Sequence, residues 1–152
     1  MNLRHVIRKL IKEVSHSQHR WLYHGTHTKA AEEIQLSGFD SSLVGKKSGD
    51  QENPGISFSI HDDIAVDHAL WAAFKTGDIE EGAIVVVDAK NLKILNGTAF
   101  NKMWNDSGSR TMLPAVNRAK AEGYDAVELF DLETGDGIEE MEVLIINLPS
   151  IK

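Results

Sequence analysis

The chain opens with a helical pattern of hydrophobic positions. Between residues 3 and 14, aliphatic side chains recur at steps of three and four, with basic side chains beside them. The aliphatic positions are Leu3, Val6, Ile7, Leu10, Ile11 and Val14, and the basic ones are Arg4, Arg8, Lys9 and Lys12. This spacing predicts an amphipathic helix in an N-terminal segment, residues 1–20. We expect its apolar stripe to dock on the rest of the domain; an arm that binds a membrane or a partner is the alternative.

Six short apolar runs predict strands in the rest of the chain, because they are rich in β-branched and aromatic residues and are bounded by turn residues. They lie at residues 21–26, 55–60, 83–88, 92–95, 125–130 and 141–147. Helices are predicted at residues 28–38, 62–77 and 112–122. Thr28 is the expected N-cap of the first helix, with Glu32 and Glu33 near its positive end. Residues 96–110 are predicted to be irregular or briefly helical.

The order of these elements predicts an α+β fold. Strands outnumber helices, and the two do not alternate as they do in a doubly wound parallel sheet. One domain, residues 21–152, follows the N-terminal segment, which is an ordinary length for a single core. Residues 41–54 combine glycine and proline with polar residues, so a loop that covers a site is expected there. A turn is expected at residues 134–137.

Composition and charge exclude several functional classes. With 41% hydrophobic and 26% charged residues and no cysteine, the sequence is typical of a soluble globular protein without disulfides or thiolate metal sites. It has no apolar run of bilayer length and no segment like a signal peptide, which favours a cytoplasmic location. The net charge of −7 is concentrated outside the basic N-terminal segment. A broad nucleic-acid interface is therefore disfavoured.

Acidic residues and a histidine are the candidate catalytic groups. Glu140 and Glu142 begin the last predicted strand, and a period of two places them on one side. Solvation of a strand end is the plainer explanation for both. His24 precedes Gly25, where a missing side chain would let a ligand approach the backbone. Histidines at positions 24, 27, 61 and 68 do not have the spacing of a zinc signature, so no metal is expected.

Three motifs, in order, resemble the ADP-ribosyltransferase superfamily, in particular its small bacterial and phage members related to diphtheria-type toxins and poly(ADP-ribose) polymerases. The first is Tyr23, His24, Gly25 and Thr26, which is similar to the family's Y-H-G-T strand. The second, residues 55–59 (GISFS), is similar to G-I-Y-F-S and is followed by an alanine-containing helix. The third, residues 142–152 (EVLIINLPSIK), is similar to the family's glutamate-containing ending. Residues 123–127 (GYDAV) resemble a further element, and the likeness spans residues 22–152.

The resemblance implies a split β-sheet and NAD⁺ as co-substrate. His24 would hold a ribose hydroxyl, the Gly25 backbone the nicotinamide amide, and Glu142 the 2′-hydroxyl of the nicotinamide ribose. Tyr23, Thr26, Ser57, Phe58 and Ser59 belong to the implied cofactor-binding motifs. Cleavage of the nicotinamide–ribose bond would then transfer ADP-ribose to a macromolecule, with a host protein preferred over nucleic acid as the acceptor. A toxin or phage effector is the implied role.

One position departs from the pattern. Where the family's H-Y-E pattern has a tyrosine that stacks on nicotinamide, this chain has Ser57. Phe58, Trp71 or another aromatic residue would have to supply the aromatic face instead, or nicotinamide would be held less tightly. Ser57, Ser59 and the E-x-E spacing of Glu140 and Glu142 also resemble the arginine-directed branch, which makes Glu140 the candidate acceptor-side residue.

The sequence leaves two alternative functions open. An NAD⁺ glycohydrolase would use the same fold and residues, with water in place of the acceptor. A catalytically inactive binding or virion-associated module would keep the fold without the reaction. A tRNA 2′-phosphotransferase is disfavoured, because those relatives rely on several arginines and no matching constellation is found.

Overall fold

The computed structural model describes residues 20–40, 54–76, 82–131 and 140–148, and at residues 76, 130, 131, 140 and 141 it describes the backbone alone. The predicted N-terminal helix, the loop at residues 41–53 and the turn at residues 134–137 lie outside these residues. The described elements are β1 (Trp21–His27), α1 (Thr28–Ser37), β2 (Ile56–Ser59), α2 (Asp62–Thr76), β3 (Gly82–Asp88), β4 (Ile94–Leu95), α3 (Gly97–Ser107), α4 (Leu113–Ala121), β5 (Ala126–Asp131) and β6 (Glu140–Ile145).

The strands form one mixed sheet in the order β3-β1-β2-β6-β5-β4. Only the β4–β5 pair is parallel, and the other neighbours are antiparallel. Four described helices accompany the six strands, which confirms the α+β class. All six predicted strands are present, and each end lies within two residues of its prediction.

The sheet consists of two well-paired halves joined by a short connection. β1 and β3 pair along all seven residues of each strand, and β6 pairs along all six of its residues with β5 and along four of them with β2. Between β1 and β2, the register contains one residue pair, Tyr23 with Ser59. This is the shortest pairing in the described sheet, and it involves the last residue of β2.

Hydrophobic residues cover both faces of the sheet. On one face, α3 and α4 pack on β4, β5 and β6 around a buried cluster. Its buried members are Leu95, Phe100, Met103, Ala115, Val116, Ala119, Val127, Leu144 and Ile146. The buried cluster on the opposite face contains Leu22, Phe58, Val87, Ala89, Ala126, Val143 and Ile145. Successive residues of β6 therefore belong to the two clusters in turn, which explains why the sequence of this strand is continuously apolar.

Helix α2 lies unusually close to β1 and β3 because glycine and alanine line the contact. A Cβ atom on Gly25 would clash with the Ala65 carbonyl oxygen and would lie 2.6 Å from the Ala69 amide nitrogen. A Cβ atom on Gly82, which pairs with His27, would lie 3.0 Å from the backbone of Ala69. The missing side chain of Gly25 thus admits a helix, where the sequence had suggested the approach of a ligand.

Two sequence predictions were wrong in their details. Thr28 is the first residue of α1, and the N-cap is His27, whose Nδ1 accepts a hydrogen bond from the Ala30 amide at 3.2 Å. Glu32 and Glu33 consequently lie beyond the first turn, where the helix dipole no longer favours them.

Residues 96–110, predicted to be irregular or briefly helical, contain the eleven-residue helix α3. The Asn96 side chain caps its start by accepting from the Ala99 amide at 2.9 Å, and Gly108 ends it in a left-handed conformation. Glycine, threonine and asparagine give this segment low helix propensity. Burial of Phe100 and Met103 outweighs that preference.

We predict that Gly25→Ala destabilises the protein by about 1–3 kcal/mol, because α2 must move away from β1 to admit the new methyl group. Gly82→Ala is the graded control, since its Cβ contacts are looser and a smaller loss is expected. Urea unfolding followed by circular dichroism measures both. Equal stability of Gly25→Ala and wild type would contradict the described packing.

Candidate active site

Three side chains from adjacent strands lie in one row across the sheet. Tyr23 of β1 is in register with Ser59 of β2, and Ser59 is in register with Glu142 of β6. Direct partners in antiparallel strands project from the same face, and neighbouring strands are about 4.8 Å apart. Tyr23 and Glu142 are thus separated by about 10 Å, with Ser59 between them. All three are partly buried.

This row lies between two groups of helices. α2 packs mainly on β1 and β3, whereas α3 and α4 pack on the β4, β5 and β6 side of the same face. Ser57 and Ser59 of β2 lie between these groups. We call the surface formed by Tyr23, Ser57, Ser59 and Glu142 the β2 trough. It combines a carboxylate, two serine hydroxyls and an aromatic ring on three adjacent strands.

Glu142 occupies the boundary between the trough and the hydrophobic core. Its partner in β5 is Leu129, which packs against the cluster under α3 and α4. Two residues further along β6, Leu144 is fully buried in that cluster. The backbone of Glu142 is therefore held by pairing on both sides. This pairing fixes the point from which the partly buried side chain extends.

His24 projects from the opposite face of the sheet. It follows Tyr23 in β1, and its ring contacts Phe39 and Phe58, whose centroids lie 5.7 Å and 5.4 Å away. Its Nδ1 lies 2.9 Å from the Ser57 carbonyl oxygen, so a protonated Nδ1 donates to that oxygen. The contact joins β1 to β2 beside the single register pair. His24 and Glu142 thus come from strands that are close together but lie on different faces.

The remaining candidate residues are dispersed. Thr26 pairs with Ala83 in the β1–β3 half of the sheet. Phe58 is 1% exposed in the cluster opposite the trough. Trp71 is 58% exposed on α2 and stacks on Phe74. Phe58 projects from the face opposite Glu142, and Trp71 belongs to a helix, so Tyr23 is the aromatic residue in strand register with the trough. Glu140 pairs with Asp131 through the backbone.

Sequence reasoning missed a buried acid, Glu128. It is 6% exposed, and its Oε2 accepts a hydrogen bond from the Gly97 amide at 3.0 Å. Since Gly97 is the first residue of α3, the carboxylate caps the positive end of that helix. Its register partner, Val143, belongs to the cluster opposite the trough. A single acid within an apolar strand was the available signal, and a structural role accounts for it.

Two further properties bear on the kind of site. Among the described residues, no group of three or more histidines and acids is arranged to hold a metal ion. None of the described helices combines the length and hydrophobicity that crossing a bilayer requires.

Comparisons with known proteins give no relative: no family model, no curated protein and no solved structure matches the chain significantly. The geometry of the chain itself therefore carries the functional argument.

We predict that His24→Ala lowers the free energy of unfolding by about 1–3 kcal/mol, because it removes both the hydrogen bond to Ser57 and the ring contacts with Phe39 and Phe58. The matched control is His68→Ala at an exposed position of α2, which should change stability by about 0.5 kcal/mol or less. Urea unfolding provides the measurement. Equal effects of the two substitutions would show that His24 does not connect β1 to β2.

Proposed function

We propose that the chain is an NAD⁺-dependent mono-ADP-ribosyltransferase and that the β2 trough holds the nicotinamide ribose. The observation that carries the proposal is the row of Tyr23, Ser59 and Glu142 on three adjacent strands. The three motifs of the sequence resemblance contribute one residue each to this row. That agreement between chain order and spatial register supports the assignment independently of any single short motif.

Glu142 is the proposed catalytic residue. Breaking the bond between ribose C1′ and the nicotinamide nitrogen returns the electron pair to the ring, which leaves as neutral nicotinamide. Positive charge then develops on the ribose, and a nearby carboxylate stabilises it, as carboxylates do in glycosidases. The acceptor nucleophile attacks C1′ and loses a proton. Ser59, directly in register with Glu142, is suited to orient the ribose hydroxyls or the carboxylate.

Tyr23 is the proposed aromatic partner of nicotinamide. Ser57 cannot stack on the ring, Phe58 is buried on the other face, and Trp71 projects from α2 beside Phe74. The distance of about 10 Å between Tyr23 and Glu142, two strand spacings, accommodates a ring and a ribose. This assignment replaces the two aromatic candidates suggested by the sequence.

The position of His24 restricts how NAD⁺ can lie in the proposed site. If both His24 and Glu142 contact NAD⁺, the dinucleotide must reach residues on both faces of the sheet near the β1–β2 junction. In that arrangement His24 both joins the strands through Ser57 and reaches the cofactor with the rest of its ring. Glu140 remains the proposed acceptor-side residue, since it precedes Glu142 by two positions in β6.

We predict that Glu142→Gln lowers nicotinamide release from NAD⁺ by about 100-fold or more while changing NAD⁺ affinity by less than about threefold. Glutamine keeps the size of the side chain but removes the charge that stabilises the transition state. The matched control is Glu33→Gln on an exposed position of α1, which should leave turnover unchanged.

The assay follows NAD⁺ labelled on its adenine side, with and without host lysate. Label attached to protein by the wild type, and lost in Glu142→Gln, supports the transferase. Nicotinamide release without attachment would replace the transferase by an NAD⁺ glycohydrolase in the same site. Absence of release in every sample would contradict both enzymatic functions.

A further inference from the structure

Helix α2 carries an exposed apolar stripe that the proposed reaction does not use. Its buried face consists of Ala65, Ala69 and Ala73, which pack toward β1 and β3. The next residue after each alanine is large and apolar, and it lies about 100° further around the helix. These residues are Val66, Leu70 and Phe74, which are 43%, 51% and 59% exposed, with Trp71 alongside at 58%. Exposed patches of this kind mark interaction surfaces.

We propose that this stripe, hereafter the α2 stripe, is the docking surface for residues 3–14, the part of the chain's own N-terminal segment that is predicted to be helical. The segment has an aliphatic stripe of matching helical period and lies outside the described residues. As a helix of twelve residues it would be about 18 Å long, close to the length of α2. Packing one stripe against the other removes both from water.

The connection is long enough. β2 is antiparallel to β1 and ends at Ser59, opposite Tyr23, and α2 begins three residues later. The start of α2 therefore lies near the first residues of β1, which directly follow the N-terminal segment in the chain. From Val14 to Arg20 the polar connection spans up to about 20 Å when extended. A tether of this length gives the segment an effective concentration on the order of millimolar at the α2 stripe, which favours it over a second copy.

Charge also complements the two surfaces. α2 carries Asp62, Asp63 and Asp67 against one lysine, and Asp63 and Asp67 lie on the same side of the helix as the α2 stripe. The N-terminal segment carries four basic residues in its first fourteen positions against one acid. The connection brings the end of this segment toward the acidic start of α2, so the helices pack antiparallel with basic residues near the aspartates. Each exposed ion pair contributes little to the free energy of docking, but the opposite charges determine the relative orientation of the two helices.

Cysteine cross-linking in the chain of residues 1–152 tests this proposal, since this sequence contains no cysteine. One variant combines Ile7→Cys, on the aliphatic stripe, with Leu70→Cys. The control combines Lys9→Cys, on the opposite side of the predicted helix, with Leu70→Cys. Position 70 is exposed, so folding should be preserved in both. A short bis-maleimide is added at low protein concentration, and the products are separated by size and identified by mass.

The proposal predicts intramolecular cross-linking that is about fivefold or more faster for the 7–70 pair than for the 9–70 pair, because opposite faces of a helix are about 10 Å apart. Equal rates for the two pairs, or no intramolecular product, would overturn it. Predominantly dimeric product would also overturn it and assign the α2 stripe to a second copy. Neither result depends on NAD⁺ turnover.

Discussion

The single register pair between Tyr23 and Ser59 is the constraint on which the candidate site depends. It joins the β1–β3 half of the sheet to the half built from β2, β6, β5 and β4. Each half has its own helical cover, so neither needs the other to be fully paired along its edge. The junction is therefore short, and the side chains of the β2 trough lie beside it.

The packing around the junction explains why it keeps its geometry. On one side, Gly25 and Gly82 let α2 approach β1 and β3 closely. On the other, Leu144 and its neighbours fix β6 beneath α3 and α4. The hydrogen bond from His24 to the Ser57 carbonyl oxygen holds β1 and β2 where register pairs are missing. The backbone of Glu142 is thus held between two paired strands at the edge of a hydrophobic core.

Sequence reasoning succeeded where local pattern determines structure. The run of β-branched residues in β3 and the alanine-rich helix α2 could be recognised from composition and spacing alone. It left α3 undecided between irregular and briefly helical structure, because the segment has low helix propensity and its eleven-residue helix depends on buried Phe100 and Met103. Tertiary burial of this kind is not visible within a short window of sequence.

The residues of the candidate site could be named from the sequence, but their arrangement in space could not. Period-two alternation correctly separates Tyr23 from His24 along β1, yet it cannot tell which strand lies beside β1. Only the register reveals that Ser59 connects Tyr23 to Glu142 and that His24 projects the other way. The same limit explains Gly25, whose neighbour across the missing side chain is α2, a helix some forty residues later in the chain.

The most direct test of the account is to locate NAD⁺ by two-dimensional NMR of the ¹⁵N-labelled Glu142→Gln protein, in which binding is expected to persist while turnover is slow. The account predicts that amide shifts concentrate at the junction of β1, β2 and β6, including Tyr23, Ser59 and position 142. Saturable shifts confined to α3 and α4, or none at millimolar NAD⁺, would contradict the assignment of the β2 trough as the cofactor site.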